Sequence, residues 1–222
     1  MPSRLQNPLL QNLTQEEFAL ALRFFDAREI AYPRGVIIKS ALDPITRFGL
    51  VLEGSVQVSM DDASGRQMVL NCVREGQTFG EALCYLQKDA PLTFLALTDI
   101  RILWLRCDRL HSPGDDFPAA LREKLISRFT AMLAQRTLHM NDRIQILSKK
   151  TLRGKLVTFF SQQIKRRGST AFEISMDRGA MADYLGTDRS ALSRELSAMR
   201  DEGMLTFHKN HFELLRAHIF EE

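Results

Sequence analysis

The chain has 222 residues, 45% hydrophobic and 26% charged, with a formal net charge of +3, the balance of a soluble globular protein with room for a core-bearing domain and a smaller module. No uncharged apolar run approaches the ~18 residues of a membrane span, and Met1 to Asn12 lacks the basic and apolar regions of a secretory signal, so a cytoplasmic protein without membrane contact is expected. Cys72, Cys84 and Cys107 form no Cys-x-x-Cys pair and read as packing residues in a reducing compartment.

Thr14 with Glu17 three residues on marks a helix start, and Phe18, Leu20, Leu22, Phe24 and Phe25 make residues 15–25 an amphipathic helix. From Arg28 to Arg106, short runs of Val, Ile, Leu and Phe are punctuated by Pro33-Arg34-Gly35, Glu53-Gly54, Asp61 to Gly65 and Glu75-Gly76, with no helical period between them. That pattern predicts an antiparallel jelly roll. Val56, Val58 and Met60 should face Met68, Leu70 and Cys72 across the Asp62–Gly65 turn.

After Pro113-Gly114 the period changes. Ile126, Thr130, Leu133, Thr137, Met140, Ile144 and Leu147 recur at spacings of four and three, the seam of a coiled coil. A helix from about Pro118 to Leu147 is some 45 Å long at ~1.5 Å per residue. Its seam predicts a homodimer, the alternative being burial against its own sandwich. The two threonines weaken the seam and make the pairing adjustable.

Ser148–Lys150 breaks the heptad and Thr151 can cap a new helix, with Leu152, Leu156, Val157, Phe159 and Phe160 as its apolar stripe. Between Ser148 and Phe172 stand Lys149, Lys150, Arg153, Lys155, Lys165, Arg166 and Arg167 and no Asp or Glu, a charge distribution suited to nucleic acid. Three regions result: a jelly roll at 1–116, a dimerisation helix at 117–147 and a basic domain suited to DNA at 148–222. The fold class is α+β.

In that last region, a helix with Met181, Ala182 and Tyr184 is followed by Leu185-Gly186-Thr187 and a second helix with Leu192, Leu196 and Met199 on one face. This is helix-turn-helix spacing, with Thr187 or Asp188 as the second N-cap. Arg189, Ser190, Ser193 and Arg194 then point outward: Arg can donate twice to guanine O6 and N7, and Ser reaches bases or phosphate. Two further strands, Met204 to Phe207 and His211 to Leu215, predict a wing whose tip, Lys209-Asn210, suits phosphate. His208 and His211 lie on opposite arms and could meet over a metal, but phosphate contact is the simpler reading, and no metal site is assigned.

The order of sandwich, long helix and winged helix-turn-helix resembles the Crp/Fnr family of bacterial transcription regulators over nearly the whole chain. The family pattern Thr-x-x-x-Leu-x-Gly-Thr-x-Arg-x-x-x-Ser-Arg-x-Leu-x-x-Met-x-x-x-Gly-x-Leu is met by Met181-Ala-Asp-Tyr-Leu-Gly-Thr-Asp-Arg-Ser-Ala-Leu-Ser-Arg-Glu-Leu-Ser-Ala-Met-Arg-Asp-Glu-Gly-Met-Leu205, without the first Thr. The resemblance implies that Arg189, Ser193 and Arg194 contact bases or phosphate, and that RNA polymerase is a partner. Many members carry Glu where this chain has Ser190, which leaves the operator open.

The resemblance also implies an effector held in the sandwich. Members that bind cyclic nucleotides have a Gly-Glu pair followed by Arg and Ser or Thr. This chain has Gly80-Glu81, then Ala90-Pro91-Leu92-Thr93. A cyclic phosphate would lack its cation there, so cyclic nucleotide binding is not expected. An iron–sulfur cluster is not expected either, since no cysteine precedes Cys72, and single histidines such as His111 and His139 do not argue for haem. The remaining expectation is an unidentified small molecule near Gly80, Glu81, Leu83, Thr93, Phe129 and Met132, with Tyr85, Leu92 and Phe94 beside them.

An enzyme is not expected: residues 28–106 contain no histidine for a cupin metal site, and neither a Gly-x-Ser-x-Gly elbow nor a phosphate loop occurs. The alternative is a cyclic-nucleotide-binding-like module acting through protein partners only. The expected activity is sequence-specific binding, as a homodimer, to a two-fold-symmetric operator in double-stranded DNA.

Overall fold

The computed structural model describes residues 7–41, 43–61, 67–89, 91–111, 117–174 and 176–220. The expected turn at Asp62–Gly65, the break at Pro113-Gly114 and Ala90 lie outside the described residues. The chain forms two compact units, Met1–Leu133 and Ala134–Glu222. Among the described residues no helix is long and apolar enough to cross a membrane.

The first unit opens with α1 (Gln15–Phe24). Glu17 N donates to Thr14 Oγ1 at 3.1 Å and Thr14 N to Glu17 Oε2 at 3.0 Å, the expected reciprocal cap. Lys124 donates to the same carboxylate at 2.8 Å, and its ammonium, ahead of the cap itself, holds the Glu17 carboxyl below its usual range. Eight strands follow: β1 (Arg28–Tyr32), β2 (Ile37–Lys39), β3 (Phe48–Glu53), β4 (Ser55–Asp61), β5 (Gln67–Arg74), β6 (Thr78–Phe79), β7 (Leu92–Ala96) and β8 (Ile100–Leu105). They form two antiparallel sheets, ordered β1-β8-β3-β6 and β2-β7-β4-β5, the expected jelly roll.

One short helix interrupts it, α2 (Glu81–Leu86), and another, α3 (Asp108–His111), follows β8. Reading Arg28 to Arg106 as strands and turns alone is corrected at α2. Six residues are too short to show a helical period, and Gly80, in the left-handed region at φ 77°, turns the chain into the helix.

The β4–β5 hairpin is present with one correction of register. Met60 faces Met68 as expected, but a bulge at Val58–Ser59 makes Val58 face Asn71 and Val56 face Val73 rather than Cys72. One extra residue on β5 past the bulge shifts the pairing by one. It brings Val73 inward beside Val56, both buried.

Aromatic rings fill the sandwich. Phe79 lies 4.9 Å from Phe94 and 5.5 Å from Trp104, and Phe48 lies 6.2 Å from Phe25 and 5.8 Å from Phe129. Backbone and ring approach so closely that a Cβ on Gly49 would lie 2.3 Å from Phe79 Cζ, so β3 admits only glycine there. The long helix α4 (Ala119–Leu147) contributes Leu121, Leu125, Phe129 and Met132 to this core. This is a helical stripe at spacings of four, four and three, different from the expected seam.

The second unit contains the remainder of α4, then α5 (Leu152–Arg167), β9 (Ala171–Glu173), α6 (Arg178–Leu185), α7 (Arg189–Asp201), β10 (Leu205–His208) and β11 (His211–Leu214). Thr151 caps α5 through Gly154 N at 3.1 Å. The wing has three strands, ordered β10-β11-β9, rather than the expected two. Ala171–Glu173 is too short to alternate visibly, and its pairing rests on Phe172 opposite Phe212. The core gathers around Phe160, whose ring has Phe159, Phe172, Phe212 and Phe220 as neighbours at 5.2–6.3 Å.

Candidate nucleic-acid interface and sensor residues

The helix-turn-helix is built by two caps and a glycine. Asp177 accepts from Ala180 N at 2.8 Å and starts α6. Gly186 ends it in the left-handed region at φ 58°, where Gly186 N donates to Asp183 O at 3.2 Å and Thr187 N to Ala182 O at 3.0 Å. Asp188 is the N-cap of α7, through its extended backbone and without a side-chain cap bond.

On α7 the buried series is Leu192, Leu196 and Met199, as expected, so the opposite face is fixed by helical geometry. Arg189, Ser190, Ser193 and Arg194 are all exposed there, and Lys209 is exposed at the wing tip. Ser193 Oγ donates to Arg189 O at 2.9 Å. With its proton so engaged, the exposed hydroxyl keeps its acceptor capacity, which can receive an amino hydrogen of cytosine or adenine. The other charges of α7 are tied within the protein: Glu195 to Arg153 at 2.6 Å and Arg200 to Asp201 at 2.9 Å. Arg189 and Arg194 make no ion pair among the described residues, and their donors are available to a ligand.

Three cations that sequence reasoning assigned to nucleic acid, or did not single out, brace this motif instead. Arg153 donates to both oxygens of Glu202 at 2.7 Å while holding Glu195, so α5 grips α7 near its middle and at its end. The fork raises the Arg153 pKa further and holds the Glu202 carboxyl below its usual range. Lys155 Nζ donates to Leu185 O at 2.9 Å, and Arg143 reaches Tyr184 O and Asp183 O at 3.3 Å. Both cations meet carbonyls at the C-terminal end of α6, where positive charge is favoured. Of the expected basic face, Arg166 pairs with Asp142 and Arg167 lies over Phe172 at 5.6 Å. Spacing along the chain carries no sign of the braces made by Arg143, Arg153 and Lys155, because their partners lie 30 to 49 residues away.

In the first unit the structure brings some of the expected effector residues together. Thr78 Oγ1 lies 3.1 Å from Glu81 Oε1 and 3.7 Å from Met132 Sδ, and Glu81 is 2% exposed. Phe129 lies 5.5 Å from Tyr85, and Gly80 lies close to Ile45 and Phe94. Leu83 is partly buried against this core. Thr93 stands on β7 opposite Ser59, and Pro91 is exposed. Two open surface depressions, about 540 Å³ and about 240 Å³, are lined by Leu22, Arg23 and Arg109 and by Tyr32, Arg47 and Trp104 among others. Neither includes an expected effector residue.

The seam residues of α4 are accessible in both units. Ile126 is 36% exposed, and Met140, Ile144 and Leu147 are 58%, 61% and 41% exposed. Leu133 is partly buried, and Thr130 and Thr137 are exposed. Leu138, which lies outside the expected series, is 62% exposed.

Residues 29–112 match the cyclic nucleotide-binding domain model and residues 154–218 the Crp-like helix-turn-helix domain model. The cyclic AMP receptor protein of Thermus thermophilus is 25% identical over 218 residues, 97% of this chain and 96% of that one. The crystal structure of the Thermus thermophilus catabolite activator protein superposes with a TM-score of 0.51 at 26% identity, covering 97% of each chain. FixK2 from Bradyrhizobium japonicum, with a TM-score of 0.56 at 22% identity, covers 87% of this chain and 95% of its own and shares the fold. With a jelly roll matched by the first model and a helix-turn-helix matched by the second, the chain belongs to the Crp/Fnr family of DNA-binding transcription regulators, which are not enzymes.

Proposed function

We propose that the chain acts as a homodimer that reads a two-fold-symmetric operator. Each α7 enters a major groove, with Arg189, Ser190, Ser193 and Arg194 at base edges or phosphate and Lys209 on the phosphate backbone. The observation that carries this reading is the sorting of charge on α7: among the described residues Arg189 and Arg194 on the outward face make no ion pair, while Glu195 is held by Arg153 of α5 and Arg200 by its neighbour Asp201. Pairing along the α4 seam is supported by apolar side chains, Met140 and Ile144 above all, left open to water in the single chain. The half-site centres then fall about 34–36 Å apart.

Control belongs to an unidentified small molecule acting on the sandwich, with RNA polymerase as the downstream partner that the family resemblance implies. Cyclic AMP, named for the Thermus relative, is not proposed as that molecule. The position where the family cassette needs an arginine falls at Pro91 or Leu92, and Leu92 is paired with Met60 in the sheet. An iron–sulfur cluster or other resident cofactor is not proposed.

Sedimentation equilibrium at micromolar concentration tests the assembly. Wild type should run as a dimer and Ile144→Asp as a folded monomer with weakened affinity for a duplex carrying both half-sites. A wild-type monomer, free and on DNA, would contradict the reading.

A further inference from the structure

Lys209 begins the two-residue loop joining His208 to His211, with φ at 52°. A side chain with a Cβ is disfavoured in that region, and hairpin loops ordinarily place Gly or Asn there. A lysine held in such a conformation needs support from its surroundings, and the support is specific. Arg178, the first residue of α6, donates from Nη2 to Lys209 O at 2.7 Å. Its guanidinium lies over Phe212 at 4.9 Å and Phe207 at 5.1 Å, and Nη1 reaches Met181 Sδ at 3.9 Å. The next carbonyl, Asn210 O, accepts from Ile174 N at 2.9 Å.

Arg178 is half-buried, and among the described residues no carboxylate answers it. Burial alone pulls its pKa below the usual guanidinium value. Two aromatic faces and a carbonyl therefore supply its compensation. An unpaired, half-buried cation is a costly way to join a helix to a hairpin, and an apolar side chain would pack between Phe207 and Phe212 without it. What the guanidinium adds is a directed bond to the one carbonyl that sets the backbone of Lys209.

We infer that Arg178 is a positioning residue for DNA binding: it latches the wing tip to the first helix of the helix-turn-helix, so that Lys209 is presented to a phosphate in a fixed conformation. The inference rests on the reading that the wing meets the DNA backbone. A latch acts only through Lys209, whereas an arginine that itself touched phosphate would act independently of it.

A double-variant cycle on the full chain separates the two. The probes are a random-sequence duplex and a duplex enriched from random DNA with wild type, each titrated across a salt series. Lys209→Ala should weaken binding to both and reduce the salt slope by about 1. Arg178→Met should do the same. The double variant should lose about twofold or less beyond either single variant, with its slope reduced by about 1 in all.

Arg178→Lys, which keeps the charge and a donor, should retain the wild-type slope, and it stands as the second variant should Arg178→Met fail to fold. A double-variant slope reduced by about 2 would overturn the latch and make Arg178 a phosphate contact. Arg178→Lys behaving like Lys209→Ala would overturn it as well. If Lys209→Ala changes neither affinity nor slope, the wing contact falls and the latch with it, while sequence-specific binding through α7 stands.

Discussion

Arg194→Ala will bind an enriched operator about 5- to 150-fold more weakly per half-site, the equivalent of ~1–3 kcal/mol, and will lose preference at one base pair. The reasoning is local. Arg194 sits one turn after Ser190 on the outward face of α7, is exposed, and has no ion-pair partner among the described residues. Nothing in the protein need be broken for its fork to meet a guanine edge. Because Leu192 and Leu196 on the opposite face are buried, the substitution leaves the fold alone, and a melting curve that matches wild type should accompany the loss. Competition binding against duplexes with single base changes measures it. Equal affinity of wild type and variant for the operator, with equal selectivity at every position, would show that this helix face does not read sequence.

Phe160→Ala will cost about 3–5 kcal/mol of folding free energy. Phe160 is fully buried, and its ring joins four others: Phe159 beside it on α5, Phe172 on β9, Phe212 on β11 and Phe220 near the end of the chain. Truncation leaves a cavity among rigid rings that cannot collapse to fill it. Domains of this size have net stabilities of roughly 5–15 kcal/mol, so much of the reserve of the second unit is lost. Urea unfolding should become two-step, with the second unit opening first and the sandwich, which has a core of its own, opening later. A loss under about 1 kcal/mol would mean that this aromatic cluster is not what holds the motif together.

Where the amino-acid pattern is local, the sequence shows the structure directly. The Thr14–Glu17 box, the Thr151 cap and the Leu185-Gly186-Thr187 turn all appear where their residues predict, because each depends on groups a few positions apart. The outward face of α7 was equally legible, since three buried apolar residues at helical spacing determine the opposite side.

What depends on distant partners was not legible. The bulge at Val58–Ser59 shifts a register that alternation alone assigns one residue away. The strand at Ala171–Glu173 exists because Phe172 has Phe212 to pair with, and a three-residue run cannot announce that. The basic stretch after Ser148 reads as one electrostatic face, yet Arg153 and Lys155 are spent inward on α7 and on the end of α6. Charge type is visible in a sequence, while the choice between solvent, ligand and internal carbonyl is made by packing. The same holds for Arg178, whose partners Phe207, Lys209 and Phe212 lie about thirty residues downstream.

The central claim is that two copies of α7, held as a pair, read an inverted repeat. Enriching random-sequence duplex DNA with the full chain at physiological salt and sequencing the bound pool tests it most directly. The account predicts a motif of two inverted half-sites with centres about 10–10.5 base pairs apart. A motif with one unrepeated half-site, or a bound pool with no sequence preference, would contradict it.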